Sequence, residues 1–143
     1  MKRFTGCFIF FLFSIVSFSQ SKIVADISNV KNDKGICRAC IFNNAEAFKG
    51  ETGRPYECVV ARVKNAGAQA IFNNVPAGIY AIFVFHDANS NSKIDKNFIG
   101  IPKEGYGASK NKLPFAGAPT YNENKFAVDG KTTLRLPIKL RNL

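Results

Sequence analysis

The sequence predicts an all-β fold, a sandwich or a barrel of seven short strands. Three observations support it. Apolar residues alternate with polar ones in short segments, as in 22–28, and Gly, Asn, Asp and Pro cluster between those segments. In addition, no ten-residue stretch repeats apolar residues at a helical period, although 43–50 is expected to form one short helical turn.

The candidate strands follow one another with turn residues at their breaks. They are 22–30, 35–43, 56–64, 68–75, 79–87, 124–130 and 132–140. The turn segments include "KNDKG", "KNAG" and "VPAG". Asp129-Gly130 predicts a tight hairpin between the last two strands, because both residue types tolerate a positive φ.

The strand 79–87 differs from the others because it is apolar on both faces. One face carries Ile79, Ala81, Phe83 and Phe85, and the other carries Tyr80, Ile82 and Val84. A strand of this kind is typically central and covered on both sides. We therefore expect it in the middle of its sheet, with the core on one face and a loop over the other.

The 36 residues 88–123 show no strand pattern. Loops of this length in a compact domain are usually functional or disordered. Apolar and aromatic residues predict an ordered loop here, with these side chains as anchors: Phe98, Ile99, Ile101, Tyr106, Leu113, Phe115 and Tyr121. The sequence therefore predicts one long docked loop. It covers one face of the domain, or it also builds a binding surface.

The first residues are typical of a secretory signal peptide. Met1-Lys2-Arg3 is followed by a short apolar stretch and by small residues at Ser17 and Ser19, which predicts cleavage before Gln20. An uncleaved anchor is the alternative. The expected organisation is a signal peptide at 1–19 and one domain at 20–143, with no transmembrane span after cleavage. Export would place the domain in the periplasm, at the outer membrane or outside the cell.

The domain is basic. Removing Lys2 and Arg3 leaves 18 basic and 10 acidic residues, a net charge of 18 − 10 = +8. This balance favours anionic partners, such as an envelope glycan, a lipid headgroup surface or an acidic protein. The lysines are scattered and are not interleaved with base-stacking aromatics, which argues against nucleic-acid binding.

Three cysteines remain after cleavage, namely Cys37, Cys40 and Cys58. In an oxidising compartment one disulfide and one free thiol are expected. The segment "GICRACIF" has the pattern of a strand, so Cys37 and Cys40 point to opposite faces and are poorly placed for a redox pair. We expect Cys58 to pair with Cys40, on the less buried face with Arg38. Cys37 is the alternative partner.

The segment "HDANSNSKID" (86–95) has the oxygen spacing of a calcium loop. Its candidate ligands are Asp87, Asn89, Asn91, the Lys93 carbonyl and Asp95, which match the first, third, fifth, seventh and ninth positions of an EF-hand. Ser92 replaces the usual glycine, and Phe98 replaces the closing acid. The segment is thus either a weak Ca²⁺ site or a polar turn whose side chains cap backbone N–H groups. No other cofactor is indicated.

His86 is the only histidine and precedes this segment. A hydrolase would combine it with Asp87, Asp95 or Glu104, and Ser109 is a conceivable nucleophile. A strand-end histidine bonded to the long loop is the commoner arrangement. The candidates for a binding face without catalysis are His86, Asn97, Glu104, Tyr106 and Ser109.

Residues 72–111, "FNNVPAGIYAIFVFHDANSNSKIDKNFIGIPKEGYGASKN", resemble the central motif of a bacterial secreted family of unknown function, the one numbered 2141 among such domains. Segments 32–48 and 125–138 resemble its opening and closing strands, and the family usually has Gly where this chain has Ser92. The resemblance implies a prealbumin-type or immunoglobulin-like sandwich related to Cna-B-like modules, which are mostly accessory or adhesive. It implies no established activity.

The sequence as a whole predicts a single seven-stranded antiparallel β-sandwich with one long docked loop. Its expected role is that of an exported accessory or binding domain that is not an enzyme, with 86–109 as the functional face and a weak calcium loop at 87–95. Two alternatives stay open. They are a small hydrolase that uses His86, and a basic binder of envelope polysaccharide or lipid.

Overall fold

The computed structural model describes residues 20–143, so the predicted signal peptide lies outside the described residues. Within 20–143 the chain forms eight strands and two short helices. The strands are β1 (Ser21–Ser28), β2 (Ile36–Phe42), β3 (Glu57–Arg62), β4 (Ala68–Val75), β5 (Gly78–Asp87), β6 (Tyr106–Ala108), β7 (Phe126–Val128) and β8 (Thr133–Lys139). The helices are α1 (Ala45–Lys49) and α2 (Tyr121–Asn124).

The strands form two sheets that enclose one core. The first sheet has the order β4-β1-β8, and the second has the order β3-β2-β5-β6, with β7 also paired to β5. The predicted all-β class is confirmed. The prediction of a single seven-stranded antiparallel sandwich is wrong in two respects, because there are eight strands and because β8 runs parallel to β1.

The hairpin predicted at Asp129-Gly130 is not formed. β7 pairs with the start of β5 in one sheet, whereas β8 pairs with β1 in the other. The Asp129-Gly130 turn, with Gly130 at a φ of 75°, therefore carries the chain from one sheet to the other. A turn-forming dipeptide specifies the local bend, but the pairing of the strands that follow depends on where their apolar faces are buried.

The expectation that 88–123 contains no strand is also wrong, because β6 lies within it. β6 has only three residues, too few for an alternating pattern, and pairs with Phe83–Phe85 of β5. Gly107 permits this position, since a Cβ there would lie 2.9 Å from the Ile138 side chain. Backbone hydrogen bonds in both directions between Tyr106 and Arg141 fix the other side of β6.

The core lies between the two sheets and is built from the inward face of each strand. Ile23, Phe72 and Ile138 from the first sheet meet Ile41 and Ile82 from the second, and all five are fully buried. β5 is flanked by β2 on one side and by β6 and β7 on the other. The prediction of a central strand at 79–87 is confirmed.

The outer face of β5 is apolar too, and α1 covers part of it. Asn44 caps α1 by accepting a hydrogen bond from the N–H of Ala47, and Gly50 ends the helix in a left-handed conformation. The ring of Phe48 on α1 lies edge-on to Phe83, with ring centroids 6.4 Å apart. The helical turn expected at 43–50 is confirmed.

The predicted disulfide between Cys40 and Cys58 is confirmed. The two cysteines are direct cross-strand neighbours on β2 and β3, with Cα atoms 4.1 Å apart. Cys37 is a free thiol in the core, where burial raises its pKa to about 12. Such a thiol stays protonated at neutral pH and acts as a small apolar side chain.

No helix within residues 20–143 has the length and apolar character needed to cross a bilayer.

Reduction of the disulfide is expected to lower the free energy of unfolding by about 3 kcal/mol, because it releases a loop of 18 residues in the unfolded chain. Urea unfolding with and without a thiol reductant measures this difference. The Cys40→Ser/Cys58→Ser variant is the control, since its midpoint should not respond to reductant. An equal response in the variant would assign the effect to Cys37.

Asp129 is expected to stabilise the turn between β7 and β8 in a pH-dependent way. Its carboxylate accepts hydrogen bonds from the backbone N–H groups of Lys131 and Thr132 and from the hydroxyls of Thr132 and Ser21, and these lower its pKa to about 2. Because the folded pKa is lowered, this stabilisation is complete above the ordinary carboxyl pKa of about 4 and is lost as the pH falls through about 2.

The Asp129→Asn variant tests this prediction. Thermal unfolding should show a lower melting temperature for the variant than for the wild type at neutral pH. The difference between the two melting temperatures should become smaller between about pH 4 and pH 2. A difference in melting temperature that does not change with pH would contradict the assignment of this stabilisation to the charge of Asp129.

Candidate functional site

The polar segment after β5 is held by two carboxylates that accept backbone N–H groups. Asp87, fully buried, accepts from the N–H groups of Asn91 and Ser92 at 2.9 and 2.8 Å. Glu104 accepts from the N–H groups of Ala88 and Asp95 at 3.0 and 2.9 Å. Backbone N–H groups in a loop lack the carbonyl acceptors that a neighbouring strand would provide. The two carboxylates supply those acceptors, and the hydrogen bonds therefore fix the path of the loop.

Asp95 and the two asparagines complete this network. The side-chain amides of Asn89 and Asn91 donate to the Asp95 carboxylate at 2.7 and 3.0 Å, and their oxygens accept from the N–H groups of Asn91 and Lys93. The four candidate side-chain ligands of calcium are therefore linked in one network, with their oxygens bonded to N–H donors of the loop. This is the arrangement of the polar-turn alternative.

Within residues 20–143, no three or more His, Cys, Asp or Glu side chains are grouped so as to hold a metal ion. Each carboxylate oxygen of Asp87 and Asp95 accepts one N–H group, and an ionised carboxylate has about four acceptor sites in all. Calcium binding at 87–95 stays a prediction, and calorimetry with calcium at several millimolar tests it.

The network carries a projecting segment, residues 94–102, which we call the first lobe. Its base is closed by the N–H of Lys103, which donates to the Asp95 carbonyl at 2.8 Å. Its tip is closed by Asn97, whose side-chain oxygen accepts from the N–H groups of Ile99 and Ile101. Asn97 thus shapes the tip that presents Phe98, which is 99% exposed.

A second projecting segment, residues 110–119, forms the second lobe. The buried Asn124 side chain accepts from the N–H groups of Lys110 and Lys112 and donates to the carbonyls of Lys112 and Thr120. The Arg141 guanidinium donates to the carbonyls of Leu113 and Pro114. Both ends of the second lobe are therefore fixed, and Phe115 at its tip is fully exposed.

An apolar groove of about 530 Å³ lies between the two lobes. Phe83 of β5 and Tyr106 of β6 contribute to its lining, with ring centroids 6.2 Å apart. The remaining lining residues come mainly from the lobes, and they are Ile94, Lys96, Ile99, Gly100, Ile101, Pro102, Phe115, Ala116, Gly117, Ala118, Pro119 and Leu143. Concave apolar sites of this size are the usual form of ligand pockets.

This groove corrects the prediction that the long loop is docked throughout. Tyr106 is buried and Leu113 and Tyr121 are half-buried, as expected of anchors. Phe98, Ile99, Ile101 and Phe115 are exposed instead. Residue type alone cannot separate an anchor from an exposed contact residue, because both are apolar. The glycines beside these residues, Gly100 and Gly117, were the available signal of projecting tips.

The other candidate residues of the binding face lie around the groove or below it. Tyr106 lines the groove and Asn97 shapes the first lobe. Glu104 is buried in the loop network, and Ser109 is buried where its hydroxyl accepts from the Ile82 N–H and donates to the Asn124 carbonyl. Whether these residues contact a ligand stays a prediction.

The histidine and the candidate nucleophile of the hydrolase alternative, His86 and Ser109, are not brought together. The His86 side chain is 2% exposed and its Nε2 atom lies 2.7 Å from the Lys34 carbonyl oxygen. Ser109 lies opposite Ile82, four residues before His86 along β5, which is about 13 Å in a strand. A nucleophile and its base must lie within hydrogen-bond reach.

Comparison with known protein families identifies the family of this chain. Residues 25–135 match the family described as "Uncharacterized protein conserved in bacteria (DUF2141)", and the chain belongs to this family. No curated protein and no solved structure shows significant similarity to the chain. The match spans both sheets, the loop network and the two lobes.

Replacement of Ser92 by glycine is expected to stabilise the loop network relative to replacement by alanine. Ser92 has a φ of 67°, where a side chain is unfavourable, and its hydroxyl accepts from Arg38. Both variants lose this hydroxyl, so the alanine variant is the matched control for the glycine variant. Urea unfolding should find the glycine variant more stable by about 1 kcal/mol. Equal stabilities would contradict a backbone cost at Ser92.

Proposed function

We propose that this DUF2141 domain is an exported, non-catalytic binding domain, and that the groove between its two lobes receives the apolar part of a ligand. The observation that carries the proposal is the groove itself, with its stacked Phe83 and Tyr106 and its exposed isoleucines. Soluble domains rarely leave contiguous apolar surface exposed without a binding role.

The rigid support of the lobes favours a preformed site. Each lobe is tied at its base and near its tip by hydrogen bonds to buried or half-buried side chains, chiefly Glu104, Asn97, Asn124 and Arg141. A preformed site loses less conformational entropy when a ligand binds. The groove can therefore hold a ligand without first folding around it.

The chemistry of the groove supports binding without catalysis. Its lining is apolar apart from the exposed Lys96. The carboxylates of Asp87 and Glu104 do not line it, and they accept hydrogen bonds from backbone N–H groups. A catalytic site would need a positioned acid, base or nucleophile next to the bound ligand.

The two-sheet arrangement is, in this proposal, a sandwich of the prealbumin or Cna-B-like kind. The single core shared by both sheets and the "VPAGIY" approach to β5 support it. Residues 1–19 and the Cys40–Cys58 disulfide both suit export to an oxidising compartment.

A neutral apolar fluorophore, N-phenyl-1-naphthylamine, is expected to bind the protein saturably, with enhanced fluorescence. The Ile99→Ser/Ile101→Ser variant should weaken this binding by about tenfold, because two apolar contacts of the groove are lost. The matched control is Val60→Ser/Ile79→Ser, which removes two similarly exposed aliphatic side chains outside the groove. Equal weakening in both variants would contradict groove binding.

The mature protein is expected to begin at Gln20 when it is recovered from its host. N-terminal sequencing together with intact mass measures this, and the Cys40–Cys58 disulfide should be present in the same preparation. A protein that retains Met1 and both thiols in the cytoplasm would contradict export.

A further inference from the structure

Exposed apolar side chains of the described chain concentrate at the groove. Among residues 20–143, eight large hydrophobic residues are exposed, and five of them lie on or beside the two lobes and the groove. These five are Phe98, Ile99, Ile101, Phe115 and Leu143. Phe98 and Phe115 stand at the tips, so each lobe ends in an aromatic ring that faces solvent.

The tips project freely from the body of the protein. Gly100 and Gly117 have φ values of 84° and 90°, and a Cβ atom at either position would have no neighbour within 4 Å. A glycine with open space around it marks a turn that is not packed against the domain. The two rings are therefore carried on projecting turns on either side of the groove.

Four lysines lie near the two tips in sequence. The segments 96–103 ("KNFIGIPK") and 110–119 ("KNKLPFAGAP") contain two lysines each and no acidic residue. All four lysines are exposed. The nearest carboxylates of the first lobe, on Asp95 and Glu104, are engaged with N–H donors. These carboxylates keep their charge and offset Lys96 and Lys103, so the net positive charge beside the apolar centre comes from Lys110 and Lys112 of the second lobe.

This combination fits the interface of an anionic lipid bilayer. Aromatic and aliphatic side chains insert about 5–10 Å into the boundary between headgroups and acyl chains, and basic residues pair with anionic headgroups. A folded protein partner would need a ridge that fills the groove and two hollows for the rings. Fluid lipids adapt to both shapes, which favours the membrane over a protein.

We propose that the two lobes dock the protein on anionic lipid bilayers. Phe98 and Phe115 insert at the interface, the four lysines contact the headgroups, and the groove contacts the interfacial lipid between the tips. This docking rests on the proposed apolar-binding function of the groove, and it names the ligand as anionic lipid.

Co-sedimentation with vesicles tests the docking. The purified protein should bind vesicles of phosphatidylglycerol and phosphatidylcholine at least about tenfold more tightly than vesicles of phosphatidylcholine alone, and salt should weaken this binding. Every variant is purified with the same N-terminus, at Gln20, so differences between the variants report on the lobes. Equal binding to both kinds of vesicle would overturn the proposal.

Two lysine variants distinguish the effect of the lysines near the lobes on vesicle binding from the effect of the net charge of the protein. Lys96→Gln/Lys103→Gln/Lys110→Gln/Lys112→Gln should lose at least about tenfold in affinity for anionic vesicles. The matched control changes four exposed lysines outside the lobes, Lys22→Gln/Lys31→Gln/Lys64→Gln/Lys131→Gln, and lowers the net charge equally. An equal loss in both variants would overturn docking through the lobes.

The role of the two aromatic rings is tested by tryptophan reporters at their positions and by variants that lack the rings. The sequence contains no tryptophan, so Phe98→Trp and Phe115→Trp each introduce a single reporter. Its emission should shift to the blue on anionic vesicles and be quenched by lipids brominated on the acyl chain, whereas Tyr56→Trp should be unaffected. Phe98→Ser/Phe115→Ser should reduce binding, with thermal unfolding as the check that the fold is kept.

The outcomes distinguish this inference from the proposed function. Binding of the naphthylamine probe without binding to vesicles would overturn the docking and leave the groove as a site for another apolar ligand. Absence of binding to the naphthylamine probe and to vesicles would overturn both the proposed function and the membrane docking. A protein that dimerises in sedimentation equilibrium, and that Phe98→Ser/Phe115→Ser makes monomeric, would assign the lobes to self-association and overturn membrane docking.

Discussion

The constraint on which the arrangement depends is that β5 is apolar on both faces. Its inner face completes the core with Ile82 and Val84, so its outer face, with Phe83 and Phe85, must be covered by other parts of the chain. The ring of Phe48 on α1 covers one part and Tyr106 on β6 another. The long segment after β5 is thereby held on the outer face, and its two lobes leave the groove between them.

The polar segment after β5 gains order from carboxylates, not from packing. A projecting loop has few apolar contacts, and its backbone N–H groups lack partners in a strand ladder. Asp87 and Glu104 each accept two such groups, so two buried acids fix a loop of nearly twenty residues. Carboxylates at the spacing typical of calcium ligands thus cap the loop backbone, because a carboxylate favours N–H donors as well as cations, and calcium binding at 87–95 stays a prediction.

The sequence predicted the features that follow from local patterns. Alternation identified seven strands, the two-faced apolar run identified β5 as central, and the face shared by Arg38 and Cys40 identified the disulfide. The parallel pairing of β8 with β1 depends on distant residues and has no local pattern. The three residues of β6 are too few for a pattern, and the exposure of Phe98 is set by the whole lobe.

The exposed rings and lysines have complementary roles because neither is sufficient alone. Burying two phenylalanine side chains contributes about 3–6 kcal/mol, and four lysines near an anionic surface contribute about 1 kcal/mol each. Micromolar affinity requires about 8 kcal/mol, which the two contributions reach only together. A surface that is apolar but uncharged, or charged but without accessible apolar chains, would hold the domain weakly. In the proposed docking, the lobes therefore select for surfaces with both properties, because the exposed rings and the exposed lysines beside them act together.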